Sequence, residues 1–280
     1  MDFGALMFFT EYAVPATEFA KALEARGFES VWAPEHSHIP ASRKSPWPGG
    51  GELPKVYYDA MDPFVSLTVA AVATTKLKVG TGVCLVIQRD TISTAKSVAS
   101  LDQVSGGRFV FGIGGGWNVE EVESHGTKFE TRMLHMREQI EAMKEIWTKS
   151  KPKYSGDMVK FDEMMQWPKP VQKPHPPIIV GGGFPQGARR AIAYADGWMP
   201  IGGRGGDTLA MLPPFREMLK AAGRPESEVP VTLFGVGMNG EGLKRARDAG
   251  VERVVFGIPA EAKDKVMPLL DKGAALMRDA

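Results

Sequence analysis

The sequence predicts a (β/α)8 barrel, the TIM-barrel architecture of the α/β class, on three observations. Eight short apolar runs of the kind a buried parallel strand needs recur along the 280 residues. A helical pattern follows each run, so strands and helices alternate as in a parallel sheet. The first run ends in Phe8-Phe9-Thr10, not in the glycine-rich fingerprint that an open doubly wound sheet usually carries at that place. The open sheet is the alternative; the closed barrel is favoured, as one domain over residues 1–280.

Taken in order, residues 3–9 form the first strand, and residues 15–26 form a helix with Phe19 and Leu23 one turn apart and Gly27 as its stop. Residues 30–33 are the second strand, closed by Pro34. The third runs over 77–86 and the fourth over 108–113, and the last four occupy 177–180, 197–201, 230–236 and 252–256. The clearest helix spans 131–149, where Met133, Met136, Ile140, Met143 and Trp147 make one apolar stripe. A Met-rich stripe of this kind reads as core packing rather than a binding face. Later helices are announced by Pro185, Pro213-Pro214 and Gly240, and are ended by Gly197, Gly223 and Gly250.

Three stretches are too long to be simple connections: 36–58 after the second strand, 115–130 after the fourth, and 150–176 before the fifth. The first two follow C-terminal strand ends, the face on which barrel active sites are built. The 36–58 segment, rich in Pro and Gly, also carries Trp47, Tyr57 and Tyr58, and it reads as a lid or pocket wall.

Composition narrows the function. With 34 Lys+Arg against 33 Asp+Glu, the net charge of +1 leaves no basic stripe for a nucleic acid partner. Cys84, the one cysteine, forms no intrachain disulfide and fits a reducing compartment. The N-terminus opens with Asp2 instead of a basic signal region, and the longest uncharged run, 63–75, is too short for a membrane span. A soluble, cytoplasmic protein is expected.

Chemistry-bearing residues gather at the expected strand ends. Pro34-Glu35-His36-Ser37-His38 closes the second strand, so His36 faces the barrel mouth, where it can donate a hydrogen bond or a proton to a bound ring. Glu35 can orient that imidazole or bond to a ligand. Two histidines one residue apart beside an acid also resemble a metal set, but no third ligand cluster accompanies them, and no metal is expected. Glycines in the Gly80-Thr81-Gly82-Val83 strand segment mark either barrel curvature or the close approach of a ligand. Gly112-Ile113-Gly114-Gly115-Gly116-Trp117-Asn118 misses the dinucleotide pattern at Trp117, yet it lets a flat ring or a phosphate approach the backbone at Gly116.

Gly181-Gly182-Gly183-Phe184-Pro185 leads from the fifth strand directly into a helix, an arrangement suited to an anion. It is no P-loop, because no Gly-Lys-Ser/Thr follows. After the sixth strand, Arg204 lies in a glycine-rich loop that either supports the same phosphate, contacts substrate or is simply solvated. No Ser or Cys nucleophile with a paired base is evident, so a flat phosphorylated cofactor ranks above hydrolysis.

These segments together resemble the luciferase-like monooxygenase superfamily and, more closely, its branch of oxidoreductases using the deazaflavin coenzyme F420. The match runs in order along the whole chain: Gly27 to Trp32 with Glu35-His36, Gly80 to Val83, Ala95-Lys96 through Arg108, Gly112 to Asn118, Pro177 to Gly183, and Asp196-Gly197-Trp198. The resemblance implies a (β/α)8 barrel, with Glu35 and His36 as the acid and histidine beside the reactive face of the ring. It implies that Gly82-Val83 form the bulge backing that ring, often with a non-proline cis peptide. It places Gly116 and Trp117 at the ring, and it has Gly181, Gly182, Gly183 and Phe184 forming the loop that holds the cofactor phosphate through backbone N–H groups.

Some sugar-phosphate dehydrogenases of this branch carry a catalytic Glu where Trp117 stands, a departure that puts such chemistry in doubt. The implied reaction is hydride transfer between coenzyme F420 and a small organic substrate, in a homodimer; the loop with Trp47, Tyr57 and Tyr58 is the candidate substrate wall by its composition, and Arg204 a further candidate contact. A reduced-FMN monooxygenase is the alternative within the superfamily, and a non-catalytic flavin-binding barrel is a third reading.

Overall fold

The computed structural model describes residues 1–200 and 207–279. In chain order the first half comprises β1 (Asp2–Leu6), α1 (Ala16–Ala25), β2 (Ser30–Ala33), α2 (Val56–Asp59), α3 (Pro63–Ala73), β3 (Lys78–Thr81), α4 (Thr91–Ser105), β4 (Phe109–Ile113), α5 (Val119–Ser124) and α6 (Arg132–Thr148). There follow β5 (Tyr154–Ser155), β6 (Lys160–Phe161), β7 (Ile178–Gly181), α7 (Gln186–Tyr194), β8 (Gly197–Met199), α8 (Leu212–Ala221), β9 (Thr232–Val236), α9 (Gly240–Asp248), β10 (Arg253–Gly257) and α10 (Lys263–Asp279).

All but β5 and β6 form one 8-stranded parallel sheet in the order β8-β7-β4-β3-β2-β1-β10-β9. The sheet curls into a nearly closed barrel: across the remaining seam the Trp198 N–H donates to the Pro230 carbonyl at 3.0 Å, and Trp198 bridges Val231. The eight βα units expected from the alternating pattern are therefore present, with helices outside the sheet.

Side chains alternate across each strand, which divides the core in two. The outward-facing set packs under the helices and takes in the α6 stripe, with Met136, Ile140, Met143 and Trp147 buried and Met133 packed at its edge. The inward-facing set fills the lumen with Trp32, Val110, Ile179, Met199 and Val255. Gly80 exists to admit the Trp32 indole: a Cβ there would stand 2.7 Å from the ring. At this position packing, not ligand approach, accounts for a glycine inside a strand.

The largest departures from the expected elements fall at the third strand, the first strand and the insertion before the fifth. The third strand stops at Thr81 instead of continuing to 86; the chain leaves the ladder at the cis Gly82–Val83 peptide, touches it again through a Cys84–Ile113 bridge, and enters a 3-10 turn at Val86–Gln88. The first strand ends at Leu6, although the Met7 N–H still donates to the Trp32 carbonyl at 3.2 Å. The insertion before the fifth barrel strand, β7, contains the antiparallel pair β5–β6, whose strands are too short to show a period. Glu138 of α6 holds the turn of that hairpin by accepting from the N–H groups of Asp157, Met158 and Val159.

Candidate active site

His36 emerges three residues beyond the end of β2, at the C-terminal mouth of the barrel. Its Nδ1 lies 2.8 Å from Glu121 Oε2, and the Ser37 backbone N–H donates to Glu121 Oε1 at 3.2 Å. Glu121 belongs to α5, which Asn118 starts by accepting from the Glu121 N–H. One short helix thus delivers a carboxylate, 1% exposed, to the rear of an imidazole that is itself 7% exposed. On the other side of the ring, the Trp117 indole N–H donates to His36 Nε2 across a long 3.4 Å.

Aromatic rings enclose this histidine. Tyr57 and Trp117 stand 5.1 and 5.7 Å from the His36 ring, and Trp47 stacks edge-on against Tyr57 at 5.9 Å. The 36–58 excursion therefore folds back over the C-terminal end of β2 and packs its Tyr57 against His36. It is tied down by Glu120 of α5, which accepts from the Ser42 and Ser45 hydroxyls and the Lys44 N–H. The Ser45 hydroxyl, then the Ser42 and Lys44 donors, hold the Glu120 carboxyl at about 2, well below the usual carboxylate value. Tyr58 does not join the cluster: one residue on from Tyr57 in the helical α2, its side chain turns away and is 54% exposed. Arg204 lies outside the described residues.

Glu35 does not orient His36. Its Oε2 accepts from the Leu85 N–H and its Oε1 from Arg89 Nε, both at 2.6 Å, and Arg89 also pairs with Asp62. Both oxygens of this buried carboxylate are thus spent on fixing the segment that follows β3, and Glu121 takes the orienting part. The sequence reading missed Glu121, whose only signal is the Asn-x-x-Glu spacing of a helix start within an acidic stretch.

The strands that flank β2 bring Leu6, at the end of β1, and Val83, just past β3, to the C-terminal end of the barrel; with Phe234 of β9 they are partly buried side chains that pack on the lumen set as an apolar floor. Next to the floor, β7 passes through Gly182 and Gly183 into α7. The Gly182 N–H is committed to the Met199 carbonyl at 3.1 Å, which removes it from the amides expected to bind a phosphate. Gly182 serves packing instead: a Cβ on it would meet the Gly187 backbone at 3.1 Å. The N–H groups of Gly183 and Phe184 have no acceptor among the described residues, and a Cβ on Gly183 would meet nothing within 4 Å.

Arg190 of α7 reaches back toward Gly182 and makes no ion pair among the described residues. Arg132, anchored on the Gly115 carbonyl at 2.9 Å, stands within its field; burial first, then the charge of Arg190, pushes the Arg132 guanidinium below its usual pKa. Open amides at a helix start and two neighbouring cations fit a phosphate, and the adjoining floor fits a flat ring. Among the described residues no group of three or more His, Cys, Asp or Glu is placed to hold a metal ion.

A histidine with a carboxylate behind it can pass a proton to or from a molecule lying on the floor. Comparison with known proteins accords with this architecture. An uncharacterized protein of Mycobacterium tuberculosis is 34% identical over 279 residues, covering 98% of each chain. An F420-dependent hydroxymycolic acid dehydrogenase of the same organism is 28% identical over 234 residues, 82% of this chain and 61% of that one. A solved F420-dependent secondary alcohol dehydrogenase, in complex with an F420–acetone adduct, superposes with a TM-score of 0.76 at 19% identity, covering 100% of this chain and 99% of that one. The family model described as luciferase-like monooxygenase matches residues 4–272, and the chain belongs to that family.

Proposed function

We propose that this protein is an oxidoreductase that exchanges a hydride between the deazaflavin coenzyme F420 and a small organic substrate at the barrel mouth. The observation that carries the reading is the His36 imidazole, backed by the Glu121 carboxylate and packed against Tyr57 and Trp117, at the strand ends that also carry the apolar Leu6 and Val83 and the open Gly183 backbone. Relatives named for their F420 dependence support it.

Leu6, Val83 and Phe234 would carry the ring, with the cis Gly82–Val83 segment behind it, and Gly116 and Trp117 would border it. Gly183 and Phe184, with Arg190, would take the phosphate. Bound there, the deazaflavin supplies a two-electron hydride acceptor or donor. The chain does the rest: Trp47 and Tyr57 position the substrate and exclude water, and His36 exchanges the accompanying proton at Nε2. Glu35 acts one step removed, by holding Leu85 and Arg89.

A fluorescence titration of the purified protein with F420 and, separately, with FMN tests the reading. Preference for F420 supports it; preference for FMN replaces it with the alternative of a reduced-FMN monooxygenase, because both cofactors present a flat ring and a phosphate. Binding of neither defeats both.

The homodimer belongs to the same proposal, as do the cytoplasmic site of action and the single domain spanning the chain. Val65, Val69 and Val72 of α3 lie on one helical face and are 62, 41 and 71% exposed, a stripe that a second copy would cover across a twofold axis. No described helix is long and apolar enough to cross a membrane.

A further inference from the structure

We infer that Glu121 is the positioning residue of the active site, and that it fixes His36 as the neutral tautomer with its proton on Nδ1 and its Nε2 lone pair turned to the mouth. The inference rests on the proposed function only for its consequence. The tautomer itself follows from donor chemistry.

An indole N–H donates and never accepts. The Trp117 N–H points at His36 Nε2, so that nitrogen carries a lone pair. A neutral imidazole must then carry its one proton on Nδ1, where Glu121 Oε2 waits at 2.8 Å as an acceptor. The other carboxylate oxygen accepts from the Ser37 N–H, the residue next to the histidine. The side chain is therefore matched to two donors at once, one from the ring and one from the backbone that carries it.

Burial makes the arrangement selective. With Glu121 almost wholly enclosed, neither oxygen has water to fall back on. The amide of a glutamine in its place has one acceptor and one donor. If its oxygen stays with the Ser37 N–H, its NH2 faces Nδ1 and favours the opposite tautomer; if its oxygen serves Nδ1, the Ser37 N–H loses its partner. Only a carboxylate satisfies both.

The resting histidine is consequently a proton acceptor. When a substrate alcohol is oxidised, its O–H bond breaks and the proton bonds to Nε2, the O–H electron pair becomes the second C–O bond, the hydride leaving that carbon would be taken up by the bound deazaflavin, and the Trp117 N–H, held only at 3.4 Å, gives way. The imidazolium so formed keeps its Nδ1–H on Glu121, and the carboxylate stands against the new charge. In the reverse direction the same imidazolium returns the proton to a carbonyl oxygen. A carboxylate four residues beyond Trp117 thus stands behind the histidine in a chain whose Trp117 position lacks one.

The test is nitrogen-detected NMR of the cofactor-free protein labelled with 15N-histidine. The sequence has 5 histidines, and loss of one signal set in His36→Asn assigns His36. The wild type is expected to show a single Nδ1–H tautomer at His36, and Trp117→Phe to retain it, because Glu121 remains. Glu121→Gln is expected to introduce the Nε2–H form and to lower kcat by roughly a hundredfold or more, as for other histidines deprived of their orienting carboxylate. Its KM for cofactor should be unchanged.

An Nε2–H tautomer in the wild type overturns the proposal, as does a Trp117→Phe protein that loses the Nδ1–H form, which would give the orienting part to the indole and not to Glu121. If Glu121→Gln does not fold, the wild-type and Trp117→Phe spectra still decide. Because these spectra need no cofactor, their outcome is independent of whether F420 or FMN binds.

Discussion

At the scale of single residues, position at a strand end told more than residue type. His36 is one of 5 histidines, and it was singled out because β2 had to end just before it. Its replacement by Ala is expected to lower turnover by roughly ten- to ten-thousand-fold while cofactor affinity holds, since the role proposed for the side chain is proton transfer and not phosphate binding. Stopped-flow turnover beside a binding titration checks this; equal turnover would remove His36 from the chemistry. Trp47, Tyr57 and Trp117 were picked out in the same way, as aromatic residues on the long stretches after β2 and β4, and the structure groups them with His36. The roles of two acids were not legible. Glu35, adjacent to His36 in sequence, turns to Leu85 and Arg89. Glu121, 85 positions away in the chain, supplies the hydrogen bond. Which carboxylate meets a given imidazole is set by how α5 lies across the barrel end, and no local pattern encodes that.

At the scale of elements, the turn from β7 into α7 illustrates how one motif carries two jobs. The triple glycine reads as an anion loop, but only part of it is open to a ligand. Gly182 packs on Gly187, and a Cβ on Gly187 would stand 2.3 Å from the Gly182 carbonyl oxygen, backbone against backbone. Gly187→Ala should therefore force the strand and helix apart, costing about 1–3 kcal/mol of stability as an overpacked contact does, and should weaken cofactor binding with it. Gly183→Ala should leave the melting temperature in place, because the new methyl meets no protein atom, yet reduce affinity by roughly tenfold, about 1.4 kcal/mol, where the phosphate would sit. Thermal melts alongside titrations separate the two variants. Wild-type affinity in Gly183→Ala would place the phosphate elsewhere. The elements themselves were legible wherever a period ran long enough, as in α6; the two-residue strands β5 and β6, held by Glu138 from a neighbouring helix, offered no period to read.

At the scale of the whole molecule, the outer face and the barrel's closed ring each yield a prediction. Val69→Asp puts a charge into the exposed α3 stripe, where it should leave the fold intact and convert a dimer to monomers in light scattering; a wild type that already runs as a monomer would end the dimer reading. The ring is held at the opposite end from the active site. There Arg253 at the start of β10 makes a two-pronged ion pair with Glu29, just ahead of β2, at 2.8 and 2.9 Å, and Lys78 of β3 adds a third contact at 2.8 Å. One carboxylate thereby clips together the ends of strands on both sides of β1. Burial alone would raise the Glu29 pKa, but the hydrogen bond and charge of Arg253, with Lys78, outweigh it and hold the group at about 2 against an ordinary 4.5. A carboxyl depressed on folding adds stability above its unfolded pKa and loses it as pH falls toward the folded one. Here the contribution is about 3 kcal/mol at neutral pH, and about 2 kcal/mol of it should disappear between pH 7 and pH 3. Urea unfolding of the wild type and Glu29→Gln at both pH values measures it. The variant should be less stable at pH 7, the more so because Arg253 is left buried without its partner. The gap should then narrow by about 2 kcal/mol at pH 3, where the wild type has begun to lose the charge that the variant never had. A gap that stays constant across that range would show that Glu29 is not the clip, and that the ring is held by strand pairing and the lumen packing around Trp32 alone.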